Sequence, residues 1–233
     1  MTNLNILSGG AAQGLVGSLA DKFRDLTGLS IAGDFGAVGA MADKLRQGVP
    51  TDIVILTAAL IADLAREGLV ANHSIKDVGR VETAVAVRAT DASVAAHDAT
   101  ALRQALRDAD AIFVPDLKAS TAGIHIAKVL AQLGIAEQVA SRLRIYPNGA
   151  TAMRHLAESP ARKPIGATQA TEILATGGVK LSGALPKGCD LATVYTAAVT
   201  AKAAHAREAQ VLIDLLTGAG QSALRERTGF LAI

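Results

Sequence analysis

Short apolar runs alternate along the chain with longer stretches in which apolar residues recur every three or four positions. The first pattern is typical of buried strands and the second of amphipathic helices, so the alternation predicts a β/α protein with a largely parallel sheet. The predicted strands are 4–8, 30–35, 52–56, 81–88, 111–114, 142–146, 164–167 and 191–199. The predicted helices are 15–27, 40–47, 58–66, 99–108, 124–133, 150–158 and 203–216.

Four turns rich in glycine, serine or threonine each join the carboxyl end of a predicted strand to the N-terminus of a predicted helix. Ligands of open α/β sheets bind at such points, because unpaired N–H groups and the positive end of the helix dipole face outward. The turns are spread over the whole chain, so they predict a cleft between two lobes that holds a small anion. They are 9–14, 36–39, 120–123 and 148–151.

Composition narrows the range of partners. The 233 residues are 50% hydrophobic and 19% charged, which allows a sizeable core. A net charge of +2 and an aromatic content of 3%, with no Trp, provide neither a broad basic face nor stacking platforms, so nucleic acid is excluded as a partner. Cys189 is the single cysteine, no histidine spacing suggests a metal site, and the first glycine-rich turn does not fit the dinucleotide pattern. No metal and no cofactor are therefore predicted.

The N-terminus leads from Met1 straight into the first predicted strand, without the basic segment and apolar run of a secretory signal. No apolar run approaches the roughly 18 residues of a membrane span. The expectation is therefore a cytoplasmic protein with no membrane span, or a periplasmic protein if a signal peptide has been removed.

Several segments match one family in the same order. The stretch 45–53, which reads LRQGVPTDI, is close to a typical segment of that family, and the terminal Thr-Gly-Phe at 228–230 also matches. Further matching segments are 6–23, 35–56, 120–123 with 127–134, 149–158 and 165–169. The chain resembles the type II periplasmic-binding-protein fold, in particular the molybdate-binding branch of the solute receptors that serve ABC transporters.

The resemblance implies an α/β fold of two lobes with a ligand cleft between them. Strands 81–88 and 191–199 fit the two segments that cross between the lobes. Lobe one is then expected to hold 1–80 together with 192–233, and lobe two to hold 81–191.

The resemblance also implies which residues contact the ligand. Molybdate receptors use a serine at the first turn, hydroxyls at the second and a tyrosine in the second lobe, where this chain has Ala11, Ala37-Val38-Gly39 and Gln169. An oxyanion stripped of water needs many donors, because each unpaired polar atom costs about 1–3 kcal/mol. A small anionic organic acid is therefore expected in place of molybdate or tungstate. The predicted ligand contacts are Gly10, Ala11, Val38, Gly39, Ser120, Thr121, Asn148, Gly149, Ala150 and Gln169.

The same branch is similar to the aconitate isomerases, which implies a second kind of function. The leading hypothesis is an isomerase that shifts a proton and a double bond in a small unsaturated di- or tricarboxylate. The alternative is a solute-binding protein that delivers a carboxylate or oxyanion to an ABC transporter.

Three side chains are candidates for the proton carrier of such an isomerase. His125 is the first, because imidazole is the side chain that ordinarily takes up and releases protons near neutral pH, and Tyr146 and Lys118 follow. Each side chain could also have a role that involves no catalysis: His125 as a structural histidine, Tyr146 as a core aromatic and Lys118 as a solvated charge. Ser120 and Thr121 could likewise only cap the helix that follows them.

Overall fold

The structure is a computed structural model that describes residues 3–233. The chain forms two compact units, each described by itself below. Unit one holds the described residues up to Val81 together with Thr193–Ile233, and unit two holds Glu82–Ala192.

Nine strands and ten α-helices make up the described chain. The strands are β1 (Asn3–Gly9), β2 (Ser30–Gly36), β3 (Ile53–Thr57), β4 (Lys76–Arg88), β5 (Ala111–Pro115), β6 (Leu143–Tyr146), β7 (Pro164–Gln169), β8 (Val179–Ala184) and β9 (Ala192–Val199). The helices are α1 (Gln13–Thr27), α2 (Val38–Arg46), α3 (Ala58–Arg66), α4 (Ala99–Asp108), α5 (Thr121–Gln132), α6 (Ala136–Val139), α7 (Gly149–Ala157), α8 (Ala170–Leu174), α9 (Ala206–Thr217) and α10 (Ser222–Arg227).

The sheet of unit one runs in the order β2-β1-β3-β9. The first three strands are parallel and β9 is antiparallel to β3, so the carboxyl ends of β1, β2 and β3 lie at one edge. Helices α1, α2, α3 and α9 contribute apolar side chains to the core of this unit. Phe23, Tyr195 and Phe230 are the largest buried groups, and the last two rings meet edge to face with centroids 6.3 Å apart.

A buried carboxylate joins three parts of unit one. The Asp52 side chain is 1% exposed and accepts hydrogen bonds from the backbone N–H of Asn5 at 2.8 Å and of His205 at 2.9 Å. Asn5 lies in β1, Asp52 comes just before β3 and His205 just before α9. This carboxylate therefore fixes the C-terminal segment to the middle of the sheet.

The sheet of unit two runs in the order β4-β7-β5-β6, with β8 paired to β4. Strands β5, β6 and β7 are parallel, and β4 is antiparallel to β7 and β8. Alternate residues of β5 enter different cores, as the two-residue period of a strand requires. Ile112 and Val114 pack with α4 and α5, whereas Ala111 and Phe113 pack with α7 and α8.

The order of the predicted strands and helices is confirmed, with four omissions. Helices α6, α8 and α10 and strand β8 were not predicted, because each has six residues or fewer and shows little periodicity. Strand β4 begins at Lys76, five residues before the predicted start, and the sheets are more mixed than predicted because β4, β8 and β9 make antiparallel pairs. Among residues 3–233, no helix has the length and apolar character needed to cross a bilayer.

Candidate functional site

The first set of predicted ligand contacts lies at the carboxyl edge of unit one. Gly10 and Ala11 follow β1, and Val38 and Gly39 begin α2 directly after β2. The ends of the two strands are neighbours, since Gly9 is in register with Gly36. The structure therefore brings these four residues to one edge.

Only the backbone of these residues can serve a ligand. The side chains of Ala11 and Val38 are buried in the core, at 2% and 8% exposure, and the two glycines have none. No side-chain oxygen caps the turn that starts at Gly10 or helix α2, as far as residues 3–233 show. The N–H groups at these two N-termini are thus not satisfied by a capping side chain, which is what an anion site requires.

The second set lies at the carboxyl edge of unit two. Ser120 and Thr121 follow β5, Asn148–Ala150 follow β6, and Gln169 ends β7. These strands are parallel neighbours, with Pro115 of β5 in register with Tyr146 of β6. The structure therefore brings these six residues together. That both edges serve one ligand stays a prediction.

Two polar side chains of this second set cap helices. The Ser120 hydroxyl oxygen accepts the N–H of Gly123 at 3.5 Å, and the Asn148 Oδ1 accepts the N–H of Thr151 at 2.8 Å. Capping uses only the acceptor of each group, so the Ser120 O–H and the Asn148 amide can still donate to a ligand. Capping and ligand binding are compatible here.

The loop before α5 is shaped by Asp116. Its carboxylate accepts the N–H groups of Lys118 at 2.7 Å and of Ala119 at 2.8 Å, and these hydrogen bonds lower its pKa. At Gly123 a Cβ atom would lie 2.0 Å from the carbonyl oxygen of Asp116. Only glycine allows α5 to start this close to the loop, so the loop and the N-terminus of α5 are held in fixed register.

A buried glutamate, Glu172, lies against the N-terminus of α7 at this edge, and its place in the site is not predicted from the sequence. Its side chain is 6% exposed and accepts the Thr168 hydroxyl at 2.6 Å. The N–H groups of Gly149, Ala150 and Gln169 also stabilise the carboxylate, but burial is the larger influence and raises its pKa. Two of the predicted ligand donors, Gly149 and Ala150, are therefore engaged within the protein.

Of the three candidate proton carriers, His125 has the clearest geometry. It is half-buried in α5, and its Nε2 lies 2.8 Å from the carbonyl oxygen of Cys189. A carbonyl oxygen can only accept, so Nε2 carries the proton and the neutral ring has its basic lone pair on Nδ1. Tyr146 stacks on His155 with centroids 4.4 Å apart, and Lys118 is exposed in the Asp116 loop.

The described residues contain no group of three or more His, Cys, Asp or Glu side chains that could hold a metal ion. Cys189 is buried, and burial raises the pKa of its thiol. A thiol with a raised pKa is a weak nucleophile at neutral pH.

Comparisons with known proteins agree with this architecture. A sequence profile of the family described as "Bacterial extracellular solute-binding protein" matches residues 4–231. An aconitate isomerase from a Pseudomonas species is 25% identical over 240 residues, which cover 98% of this chain and 87% of that protein.

Solved structures give the same fold. The periplasmic molybdate-binding protein of Azotobacter vinelandii superposes with a TM-score of 0.81 at 17% identity, covering 99% of this chain and 100% of that one. The sulfate-binding protein SubI of Mycobacterium tuberculosis gives a TM-score of 0.74 at 18% identity, covering 100% and 88%. The predicted two-lobed type II periplasmic-binding-protein fold is thereby confirmed. The family is described as extracellular and the Azotobacter protein as periplasmic, so the periplasmic alternative has their support and the expected cytoplasmic location has none.

Proposed function

The chain belongs to the bacterial extracellular solute-binding protein family, and from this premise we propose that it binds a small unsaturated di- or tricarboxylate and isomerises it. The reaction is the transfer of a proton between the two ends of an allylic system, with movement of the double bond. The observation that carries this proposal is the similarity to an aconitate isomerase, which extends over 98% of the chain. The structural relatives are 14–19% identical to this chain and therefore show only its fold.

The donors of the two edges favour a carboxylate over a tetrahedral oxyanion. The edge of unit one offers backbone N–H groups without hydroxyls, because its matched positions are Ala11 and Ala37–Gly39. Gln169 stands where a molybdate receptor has its tyrosine. A planar carboxylate has two oxygens to satisfy, and a helix N-terminus with one or two side-chain donors supplies enough hydrogen bonds for it.

Proton abstraction next to a carboxylate builds negative charge on that group. The N-terminus of α5, a helix of 12 residues, can stabilise this charge as it grows, together with the Ser120 hydroxyl. His125 is the proposed base. The bond to the Cys189 carbonyl would hold its ring in the tautomer that accepts a proton at Nδ1. The same imidazolium then returns the proton to the far carbon of the allylic system, so no redox partner is needed.

The test is to incubate the protein with trans-aconitate in deuterated water and follow the mixture by NMR. Conversion to the cis isomer, with or without deuterium uptake, supports isomerisation. The His125→Gln variant is expected to lose at least about 100-fold in rate, the usual contribution of a general base. The matched control is His97→Gln, since the His97 side chain is 75% exposed, and it is expected to keep the wild-type rate.

The second candidate function is delivery of a solute to an ABC transporter, which the family favours. A receptor binds its solute tightly and leaves it unchanged. A thermal-shift screen of organic acids and oxyanions separates the classes, because a ligand at 100 times its Kd adds about 2.7 kcal/mol of apparent stability. Stabilisation without turnover across several unsaturated acids would return the protein to the receptor class. Stabilisation by molybdate or sulfate alone would overturn the carboxylate assignment.

A further inference from the structure

The N-terminus of α7 is not an empty anion site. A Cβ atom on Gly149 would lie 2.0 Å from Oε2 of Glu172 and 2.1 Å from Oγ1 of Thr168. The glutamate carboxyl group therefore sits directly against the Cα of the first helical residue, close enough for the Gly149 and Ala150 N–H groups to oppose the rise in its pKa. The Thr168 O–H donates to this carboxyl group at 2.6 Å and lies beside Gly149 as well, so the group is packed between two neighbours.

The N-termini of α5 and α7 differ in the group of the protein that lies against them. At α7 a buried carboxyl group from the protein itself meets Gly149 and Ala150, whereas at α5 the cap is the smaller hydroxyl of Ser120, at the long distance of 3.5 Å. A ligand carboxylate that approached α7 would have to displace a buried group that is hydrogen-bonded to the Thr168 hydroxyl. At α5 the weak cap uses only the acceptor of the Ser120 hydroxyl, so the O–H can donate to the ligand while the cap remains.

We propose that Glu172 is the resident carboxyl group of the α7 N-terminus and that it directs an external carboxylate to the α5 N-terminus, at Ser120 and Thr121. Glu172 is thus a positioning residue that sets where the ligand binds. The second half of this inference, the binding of an external carboxylate at α5, rests on the proposed function. The first half, the place of Glu172 at α7, does not.

Chemical rescue tests the first half. Glu172→Ala keeps the β-carbon and removes a two-carbon unit that corresponds to acetic acid, so the melting temperature of the variant is expected to fall by roughly 5–10 °C and to recover saturably when acetate is added. The control is Glu158→Ala, which removes an exposed glutamate at the other end of α7 and should show no response specific to acetate. Absence of a saturable recovery in Glu172→Ala would overturn the assignment.

If Glu172→Ala does not fold, the isosteric Glu172→Gln variant tests whether the Glu172 carboxyl group lies at the α7 N-terminus. In the wild type, the amide ¹H shifts of Gly149 and Ala150 are expected to follow the ionisation of the glutamate, and this titration should be absent in Glu172→Gln. If the same titration persists in the variant, Glu172 is not the group that meets these amides.

Amide shifts during a titration of the wild type with trans-aconitate test the second half. Thr121, Ala122 and Gly123 are expected to shift several-fold more than Gly149 and Ala150. Larger shifts at Gly149 and Ala150 would mean that the ligand displaces Glu172, which contradicts the inference. If no acid in the screen binds, the proposed function fails together with this second half, while the rescue experiment still decides the role of Glu172.

Discussion

Ionisation of Glu172 is governed by burial, which raises its pKa from the ordinary value of 4.5 against the opposing hydrogen bonds of Thr168 and the nearby N–H groups. Folding therefore favours the protonated form of this side chain. A group of this kind contributes its full stability below its unfolded pKa and loses that contribution as the pH rises through its folded pKa. The stability of the protein should depend on pH accordingly.

Glu172→Gln, which cannot ionise, makes this dependence measurable. The free energy of unfolding of the wild type minus that of the variant is expected to fall as the pH rises from about 4.5. Urea denaturation at a series of pH values gives this difference directly. Glu158→Gln, at an exposed position, measures the background of any Glu-to-Gln change, and a difference that rises with pH would contradict the prediction.

Asn148 offers a way to separate capping from ligand binding. Asn148→Asp keeps the oxygen that accepts the Thr151 N–H, so the free energy of unfolding should change by no more than about 0.5 kcal/mol. It loses the amide donor and adds charge beside Glu172, so carboxylate affinity measured by calorimetry should fall at least about tenfold. Asp98→Asn, at the cap of α4, is the matched control and should leave both quantities unchanged. A normal affinity in Asn148→Asp would remove Asn148 from the site.

Among single residues, the sequence predicts site side chains that follow a strand and precede a helix. It does not predict those that reach the site from another part of the chain. Ser120 and Asn148 could be predicted because their position before a helix is a local pattern. Glu172 could not, because its role depends on Gly149 in a different turn, and the five residues of α8 show no periodicity that marks one of them as buried.

The packing of α5 against the end of β5 depends on Gly123, which has no side chain. Gly123→Ala would place Cβ 2.0 Å from the backbone oxygen of Asp116, so the helix or the loop must move. The expected loss is about 2–4 kcal/mol in the free energy of unfolding, measured by urea denaturation. Gly17→Ala in α1, where a Cβ meets nothing within 4 Å, is the control and should stabilise the protein by up to about 1 kcal/mol. Equal effects of the two changes would rule out this account.

Whole elements were predictable where the apolar pattern was long enough to show its period. α1, with 15 residues, buries Leu15, Leu19 and Phe23 at helical spacing and ends at Gly28, whose φ of 75° suits glycine. β8 was missed because it is a half-exposed strand of six residues with glycine inside it, so its pattern resembles a loop. Pairing with β4, a tertiary contact, makes it a strand.

At the scale of the molecule, Asp52 holds together parts of unit one that are distant in sequence. Asp52→Ala leaves the N–H groups of Asn5 and His205 without their acceptor in the interior, so a loss of about 3–5 kcal/mol is expected in urea denaturation. Asp21→Ala, at a surface ion pair whose carboxylate is 86% exposed, is the control and should cost about 0–1 kcal/mol. A small effect of Asp52→Ala would mean that solvent replaces the carboxylate.

The bond from Asp52 to His205 spans 153 residues, and this length has a consequence for synthesis on the ribosome. A nascent chain emerges from its N-terminus, yet the sheet of unit one lacks β9 until Thr193 and the residues after it have been translated. Unit two, Glu82–Ala192, has its whole sequence available earlier. Translation therefore begins with unit one, yet unit one is also the last to have its whole sequence available. Until then the apolar faces of β1 and β3 lack their final partner, while unit two in the middle of the chain is already able to fold.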